Sequence, residues 1–441
     1  MDQLLAWVIG IAVMLVGLAV SIGLHEVGHM VPAKKFGVRV SQYMVGFGPT
    51  LWSRTKGETE YGVKAIPLGG YVRMVGMLPP APAGTRRRES FFGQVVADAR
   101  DASVSEIRPG EEHRAFYELS TPKKLVVMLG GPVMNLLIAV VLTFVVLVGI
   151  GAQTITTTVG AVSECTPTST TADGAAVCGD GAAPSPAAEA GLQPGDEIVE
   201  WDGAAVTSWE QLSGAIADSP DQEVPVVVVR DGAQVPLTVT TSERQVPVTD
   251  ESGAPEVGAD GEPVTETAGF LGVTPTQEYV PLPLSTVPEA VWQQVSGTAQ
   301  LIVTLPARVG EVAVQTFTDE PRAADGPMGP VGVSRVIVDA IALDGPLLST
   351  LSIVLSILAS LNVALFMFNL IPLLPLDGGH VVNALYEGGK RTVARVRGLP
   401  RPRPADVARM MPVAYVMFVV LVGTGALLIV ADVVDPVRLF G

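Results

Sequence analysis

MLVGLAVSIGLHEVGHMVPAKK, Met14–Lys35, carries the reading from which the rest follows. Upstream of His25 the chain is apolar and free of charge back to Gln3, long enough to cross a hydrocarbon core of about 30 Å as a helix. It then passes directly into His25-Glu26-Val27-Gly28-His29, an HExxH pattern. On a helix, positions i and i+4 share a face, so both imidazoles can reach one ion. Glu26 lies just off that line, beside the ion's remaining ligand, a water. With four histidines in 441 residues, chance supplies about 0.002 such matches. The plain alternative is two satisfied histidines at a polar helix end. Ionisable groups at the edge of a span are costly, which favours the functional reading. A signal peptide would need a basic start and a shorter apolar block than follows Met1-Asp2-Gln3, so the segment reads as a retained helix.

Three further charge-free stretches, Leu125–Ser163, Gly345–Leu376 and Met410–Ala431, are each long enough to span. With 48% hydrophobic residues and a mean hydropathy of +0.42, the composition suits a chain with four transmembrane helices. The net charge of −16 hides a partition. Fifteen Lys and Arg fall between Lys34 and Lys124 and seven between Lys390 and Arg409, whereas Gln153–Asp344 holds only five, against 28 Asp and Glu. Basic loops face the cytoplasm. Both termini and the long acidic segment are then expected outside, in a multi-pass plasma-membrane protein. Arg86-Arg87-Arg88 is read as topogenic charge rather than a nucleic-acid site. Cys165 and Cys178 lie in the outer segment, where an oxidising compartment favours a disulfide; two free thiols or half of a metal site are the alternatives.

Phe36–Tyr71 is too apolar for a cytosolic loop, and Pro67, Gly69 and Gly70 make it too broken for a span. A β-hairpin dipping into the membrane accounts for both. Pro79–Glu118 is polar and without a strong pattern. From Thr154 to about Val273 the chain reads as a β-rich module, with strands at TITTTVGAV and EVPVVVVRDGAQVPLTVTT turning at Asp231-Gly232, and a short helix capped by Ser208. Asp250–Ala268 reads as an acidic excursion and Val287–Thr318 as a helix.

Two histidines leave a catalytic zinc one protein ligand short. FNLIPLLPLDGGHVVNALYEGG, Phe368–Gly389, supplies Asp377, which follows an apolar run and opens a helix. A simple helix cap is the bland reading of Asp377, and His380 competes as the ligand. His113 reads as solvated.

HExxH in the first span, N-x-x-P-x-x-P-L-D-G-G from Asn369, the VGFGPTLW…YGVKAIPLGGYVRMVG block and GGPVMN at Gly130–Asn135 together resemble the site-2 protease family. The order of parts is similar to its RseP-like branch. The single PDZ-like insert and scarce lysine, 7 against 21 Arg, suggest an actinobacterial member. The resemblance implies a polytopic α-helical membrane protein with four transmembrane helices, a membrane-associated β-hairpin and one extracytoplasmic PDZ-like α+β domain. It implies Zn2+ bound by His25, His29 and Asp377, with Glu26 as general base. It also implies substrate handling by Asn369 and Pro372, and by the YGVKAIPLGG hairpin with Gly69 and Gly70. The substrates implied are pre-trimmed single-span membrane proteins such as anti-sigma factors, cut near the cytoplasmic side in regulated intramembrane proteolysis. A catalytically silent zinc-binding scaffold or transporter is the other reading, disfavoured by an intact Glu26.

The expected division is a first transmembrane helix at 1–33, a re-entrant hairpin region at 34–78, a cytoplasmic loop at 79–123 and a second transmembrane helix at 124–153. The PDZ-like domain with its acidic insertion is expected at 154–276 and an extracytoplasmic or interfacial helical linker at 277–344. A third transmembrane helix with LDGG at 345–385, a basic cytoplasmic loop at 386–409 and a fourth transmembrane helix at 410–432 complete it.

Overall fold

Backbone that leaves water must bond to itself, and the long apolar stretches do so as helices. The computed structural model describes residues 3–81, 90–166, 169–170, 176–178, 183–248, 264–318, 322, 326–342, 347–400 and 402–435. Arg86–Arg88 and most of the acidic excursion lie outside the described residues. Among the described residues, four helices are long and apolar enough to cross a membrane: Trp7–Lys35, Thr121–Ile150, Leu347–Asn369 and Val407–Val434. The chain divides into two units, Met1–Ile150 with Pro283–Gly441, and Gly151–Leu282.

The first unit begins with α1 (Gln3–Lys35), then β1 (Val40–Lys56) and β2 (Thr59–Met74), α2 (Phe91–Ser105) and α3 (Thr121–Phe144). In the hairpin, Gln42 lies opposite both Glu60 and Arg73, and Val45 opposite both Val63 and Gly70. The start of β1 is therefore sandwiched between two arms of β2, and Gly70–Met74 forms an outer strand. Val40 and Met44 are buried at the base, whereas Leu51, Trp52 and Ile66 are exposed. α2 is a departure from the loop expected at 79–123. Its helical start is set by Ser90, whose Oγ accepts from the Gly93 amide at 3.2 Å. Its weak apolar period hid it in the sequence.

The second unit holds β3 (Ala152–Val162), β4 (Ser169–Thr170), β5 (Ala176–Val177), α4 (Pro186–Glu189), β6 (Glu197–Trp201), β7 (Ala204–Ala205) and α5 (Trp209–Ala217). It continues with β8 (Glu223–Arg230), β9 (Ala233–Thr240), β10 (Ser242–Pro247), β11 (Thr265–Phe270) and β12 (Val273–Val280). Its main sheet runs β12-β3-β6-β8-β9, with β7 beside β6. Strand alternation buries Val224, Val226 and Val228 of β8 against Ile198, Trp201 and Leu212. Asp231 and Gly232 take φ of 52° and 80°, the left-handed conformations that a tight two-residue hairpin needs. Cys165 and Cys178 are joined in a disulfide.

The first unit resumes with α6 (Thr286–Thr316), α7 (Pro330–Ala342), α8 (Leu347–Asn369), α9 (Asp377–Val396) and α10 (Met411–Val434). The expected third helix at 345–385 is two helices, broken by the Leu370–Leu376 turn. Helix α9 also carries on to Val396, through half of the segment expected to be a basic loop. Polar pairs lock the bundle. Asn362 of α8 donates to Ser21 Oγ of α1 at 2.9 Å, and the buried Lys124 of α3 meets Glu387 of α9 at 2.9 Å.

In the second unit, Arg230 holds both oxygens of the buried Asp196, each at 2.7 Å, and Asp196 also accepts from the Gln193 amide at 2.8 Å. The Arg230 guanidinium keeps the Asp196 carboxyl below the usual carboxylate range. A depressed folded-state pKa gives stability that is complete above about pH 4 and is lost as pH falls through the folded value. Asp196→Ala should therefore destabilise this unit by about 2 kcal/mol near neutrality and flatten its acid sensitivity. Amide hydrogen exchange of β6 and β8 reads this directly; wild-type protection in the variant would remove the pair from the unit's stability.

Candidate active site

Helices α1 and α3 approach until their backbones touch. A Cβ on Gly28 would lie 2.2 Å from the Gly130 carbonyl oxygen, and one on Gly130 would lie 2.0 Å from that of Gly28. A Cβ on Gly131 would fall 2.2 Å from His29 Nε2, where no side chain fits. Pro132 follows inside α3. Having no N–H, it cannot donate to the Met128 carbonyl four residues back. The neighbouring Val127 carbonyl accepts a hydrogen bond from His29 Nδ1 at 2.7 Å.

That bond fixes the tautomer of His29: Nδ1 carries the proton and Nε2 keeps its lone pair. His25 has a matching partner, since its Nδ1 lies 3.1 Å from the fully buried Asn135 amide. Asn135 Oδ1 otherwise has no partner. The two ends of an amide exchange by a half-turn. With Oδ1 turned to His25, the carbonyl accepts from Nδ1–H, the orphan acceptor is satisfied, and Nε2 of His25 is bare as well. Both bare nitrogens then face one point, 3.1 Å apart.

Asp377 completes the group from α9. Its Oδ2 lies 3.2 Å from each Nε2 and has no hydrogen-bond donor of its own. The turn that delivers it needs Gly378, because a Cβ there would sit 2.3 Å from the Ile371 carbonyl oxygen. Two imidazole lone pairs and a carboxylate oxygen converging without a proton between them require a cation. Zinc bonds of about 2.0–2.1 Å in a tetrahedron place neighbouring ligand atoms about 3.3 Å apart, close to these spacings. The residues fit the ion. His25, His29 and Asp377 are the metal-capable cluster found among the described residues.

Glu26 is half-buried on α1 and takes a backbone hydrogen bond from Val72, in the outer strand of the hairpin. Gly70 brings that strand against α1, with its missing Cβ 2.9 Å from Ile22 and 3.3 Å from the Glu26 side chain. Gly69, at φ +114°, faces the Phe47 ring. Asn369 donates to the Leu365 carbonyl of its own helix at 3.0 Å, and Pro372 is exposed on the turn below it. Neither joins the donor cluster. His380 lies apart from it, lining a small cavity with Lys124 and Glu387, and His113 is exposed. Asn135 is visible in the sequence as a polar residue within an apolar stretch; its bond to His25 needed the α1–α3 crossing.

Apolar spans with a three-donor metal pocket and a glutamate at one helix end define a membrane metallopeptidase. The chain belongs to peptidase family M50, which matches residues 13–401, and it is an enzyme of the site-2 protease type. It is 32% identical to the zinc metalloprotease Rip1 of Mycobacterium tuberculosis over 98% of this chain and 99% of that protein. It is 30% identical to the metalloprotease MmpA of Caulobacter vibrioides over 86% and 87%. To the zinc metalloprotease RasP of Bacillus licheniformis it is 26% identical over 91% and 94%.

If Asn135 fixes His25, Asn135→Leu should weaken zinc binding roughly 10- to 100-fold while the helices stay packed. Competition with a zinc chelator measures this. An unchanged affinity in a folded variant would make Asn135 a packing residue only.

Proposed function

We propose that this enzyme hydrolyses peptide bonds in or near the transmembrane segment of pre-trimmed single-span membrane proteins, anti-sigma factors among them, as a step of regulated intramembrane proteolysis. The observation that carries the reading is the convergence of His25, His29 and Asp377 beside Glu26, at the end of a span and against an outer strand. His25, His29 and Asp377 hold Zn2+. When bound, zinc supplies Lewis acidity, polarising a peptide carbonyl and making a water acidic enough to lose its proton near neutrality. Glu26 takes that proton and returns it to the leaving amide nitrogen. Val127 and Asn135 keep the imidazoles turned so that their protons face away from the reaction.

The substrate meets the hairpin as an added strand. Gly70–Met74 has no strand on its far side among the described residues, and it passes Glu26. Main-chain pairing there suits any sequence that can be extended. A helical substrate must unwind first, so glycine near the cut favours cleavage and leucine opposes it. The exposed apolar hairpin residues Leu51, Trp52 and Ile66 support a tip that lies in lipid.

The basic segments are assigned to the cytoplasm, and the second unit, read as an extracytoplasmic PDZ-like domain, to the outside. The disulfide of that unit supports the assignment, since such bonds persist in oxidising compartments. A membrane-impermeant maleimide added to intact cells should leave an Arg397→Cys variant unlabelled; labelling would reverse the orientation.

In a reconstituted cleavage assay, Glu26→Gln should keep zinc and lose roughly 10²- to 10⁴-fold in turnover. Asp377→Asn should lose metal as well, because a neutral amide is the poorer ligand. Replacing a leucine near the cut by glycine should speed wild-type cleavage by up to about fivefold. Full activity of Asp377→Asn would overturn the ligand set, and indifference to glycine would overturn unwinding.

A further inference from the structure

Helix α9 has two apolar faces, and the bundle uses only one. Ala384, Glu387 and Ala394 are buried against the rest of the unit. At about 100° per residue, Val382, Leu385, Tyr386, Val393 and Val396 fall in an arc about 100° wide on nearly the opposite side. All five are exposed, Leu385 by 54%, Tyr386 by 62% and Val396 by 82%. An outward apolar stripe of this kind on a 20-residue helix needs a cover.

Charge and depth say what the cover is. Lys390 and Arg397 flank the stripe, are exposed and form no ion pair among the described residues. Lys390 lies over the Tyr386 ring. The segment Lys390–Arg409 holds seven basic residues and one acid, Asp406, which is already bonded to Arg100 at 2.7 Å. The level of the helix is marked independently. Glu387 accepts a hydrogen bond from the Ala405 amide at 3.2 Å, and the fourth span begins two residues later at Val407. Around the same entry point, the exposed rings of Phe91, Phe92 and Tyr415 cluster at 5.4–6.3 Å, as aromatic residues do at a membrane surface. Glu387 therefore lies at the interface. The apolar stripe begins below it in hydrocarbon, and the two flanking cations stand above it among headgroups.

We propose that the outward face of α9 is a binding surface for anionic phospholipid, with the acyl chains against Val382, Leu385 and Tyr386 and the phosphates at Lys390 and Arg397. The basic flank is complementary to an anionic leaflet, each such cation favouring it by about fivefold. The helix so held begins at Asp377.

The test uses the full-length protein with its disulfide intact, carrying Leu385→Cys labelled with bimane and reconstituted in phosphatidylcholine vesicles. Brominated phosphatidylglycerol should quench the label at a lower mole fraction than brominated phosphatidylcholine. That preference should fall about fivefold for each of Lys390→Gln and Arg397→Gln. Should Leu385→Cys not reconstitute, Val382→Cys lies on the same stripe below Glu387. A label that neither brominated lipid quenches faces water or another protein, and the proposal is wrong. Equal quenching by both lipids, unchanged in the double glutamine variant, would reduce the surface to ordinary lipid contact and also overturn it.

Discussion

The contact of Gly28 with Gly130 is the constraint on which the site depends. Any side chain at either position would drive α1 and α3 apart, and a shift of a few tenths of an ångström already matters at a 2.7 Å hydrogen bond. Only at this separation can the Val127 carbonyl and the Asn135 amide reach imidazoles on a different helix. The tautomers follow from those bonds, and the direction of the lone pairs follows from the tautomers.

The third donor, Asp377, is placed by a second set of forces. Asp377 starts α9, and α9 is anchored ten residues on by Glu387, which meets Lys124 of α3 and the Ala405 amide. Burying that pair carries a desolvation penalty, so its contribution is to fix the position of α9 more than to add stability. Asp432 acts in the same way on the last span, accepting from Arg322 at 2.9 Å and from the Gly329 and Gly332 amides. In a bundle whose lipid-facing surface gains nothing from the hydrophobic effect, polar pairs and close backbones supply what selects one packing.

Much of this was legible along the chain. Spans announce themselves by length and lack of charge, and HExxH needs only local helical geometry to bring two imidazoles together. The β8–β9 hairpin is readable because Asp231-Gly232 is among the few dipeptides that tolerate its turn. Helix α2 was not legible, since its register is set by partners such as Asp406, 306 residues away from Arg100. The break at Leu370–Leu376 was half visible: Asp377 reads as opening a helix, although one helix was expected over 345–385, and the fold shows how Gly378 lets the turn close.

The sequence by itself determined the four apolar spans, the two imidazoles on one helical face, the carboxylate that opens α9 and the strand character of Phe36–Tyr71, because each rests on interactions within a few residues. Tertiary structure alone decided the rest. It put Asp377 Oδ2 3.2 Å from nitrogens more than 340 residues away, turned His25 and His29 through Asn135 and Val127, and made Gly70–Met74 an outer strand beside Glu26. These depend on how closely helices can pack and on which arm of a hairpin lies outermost. Such distances are set by side chains that are missing, above all at Gly28, Gly130 and Gly131, and absence has no period to read.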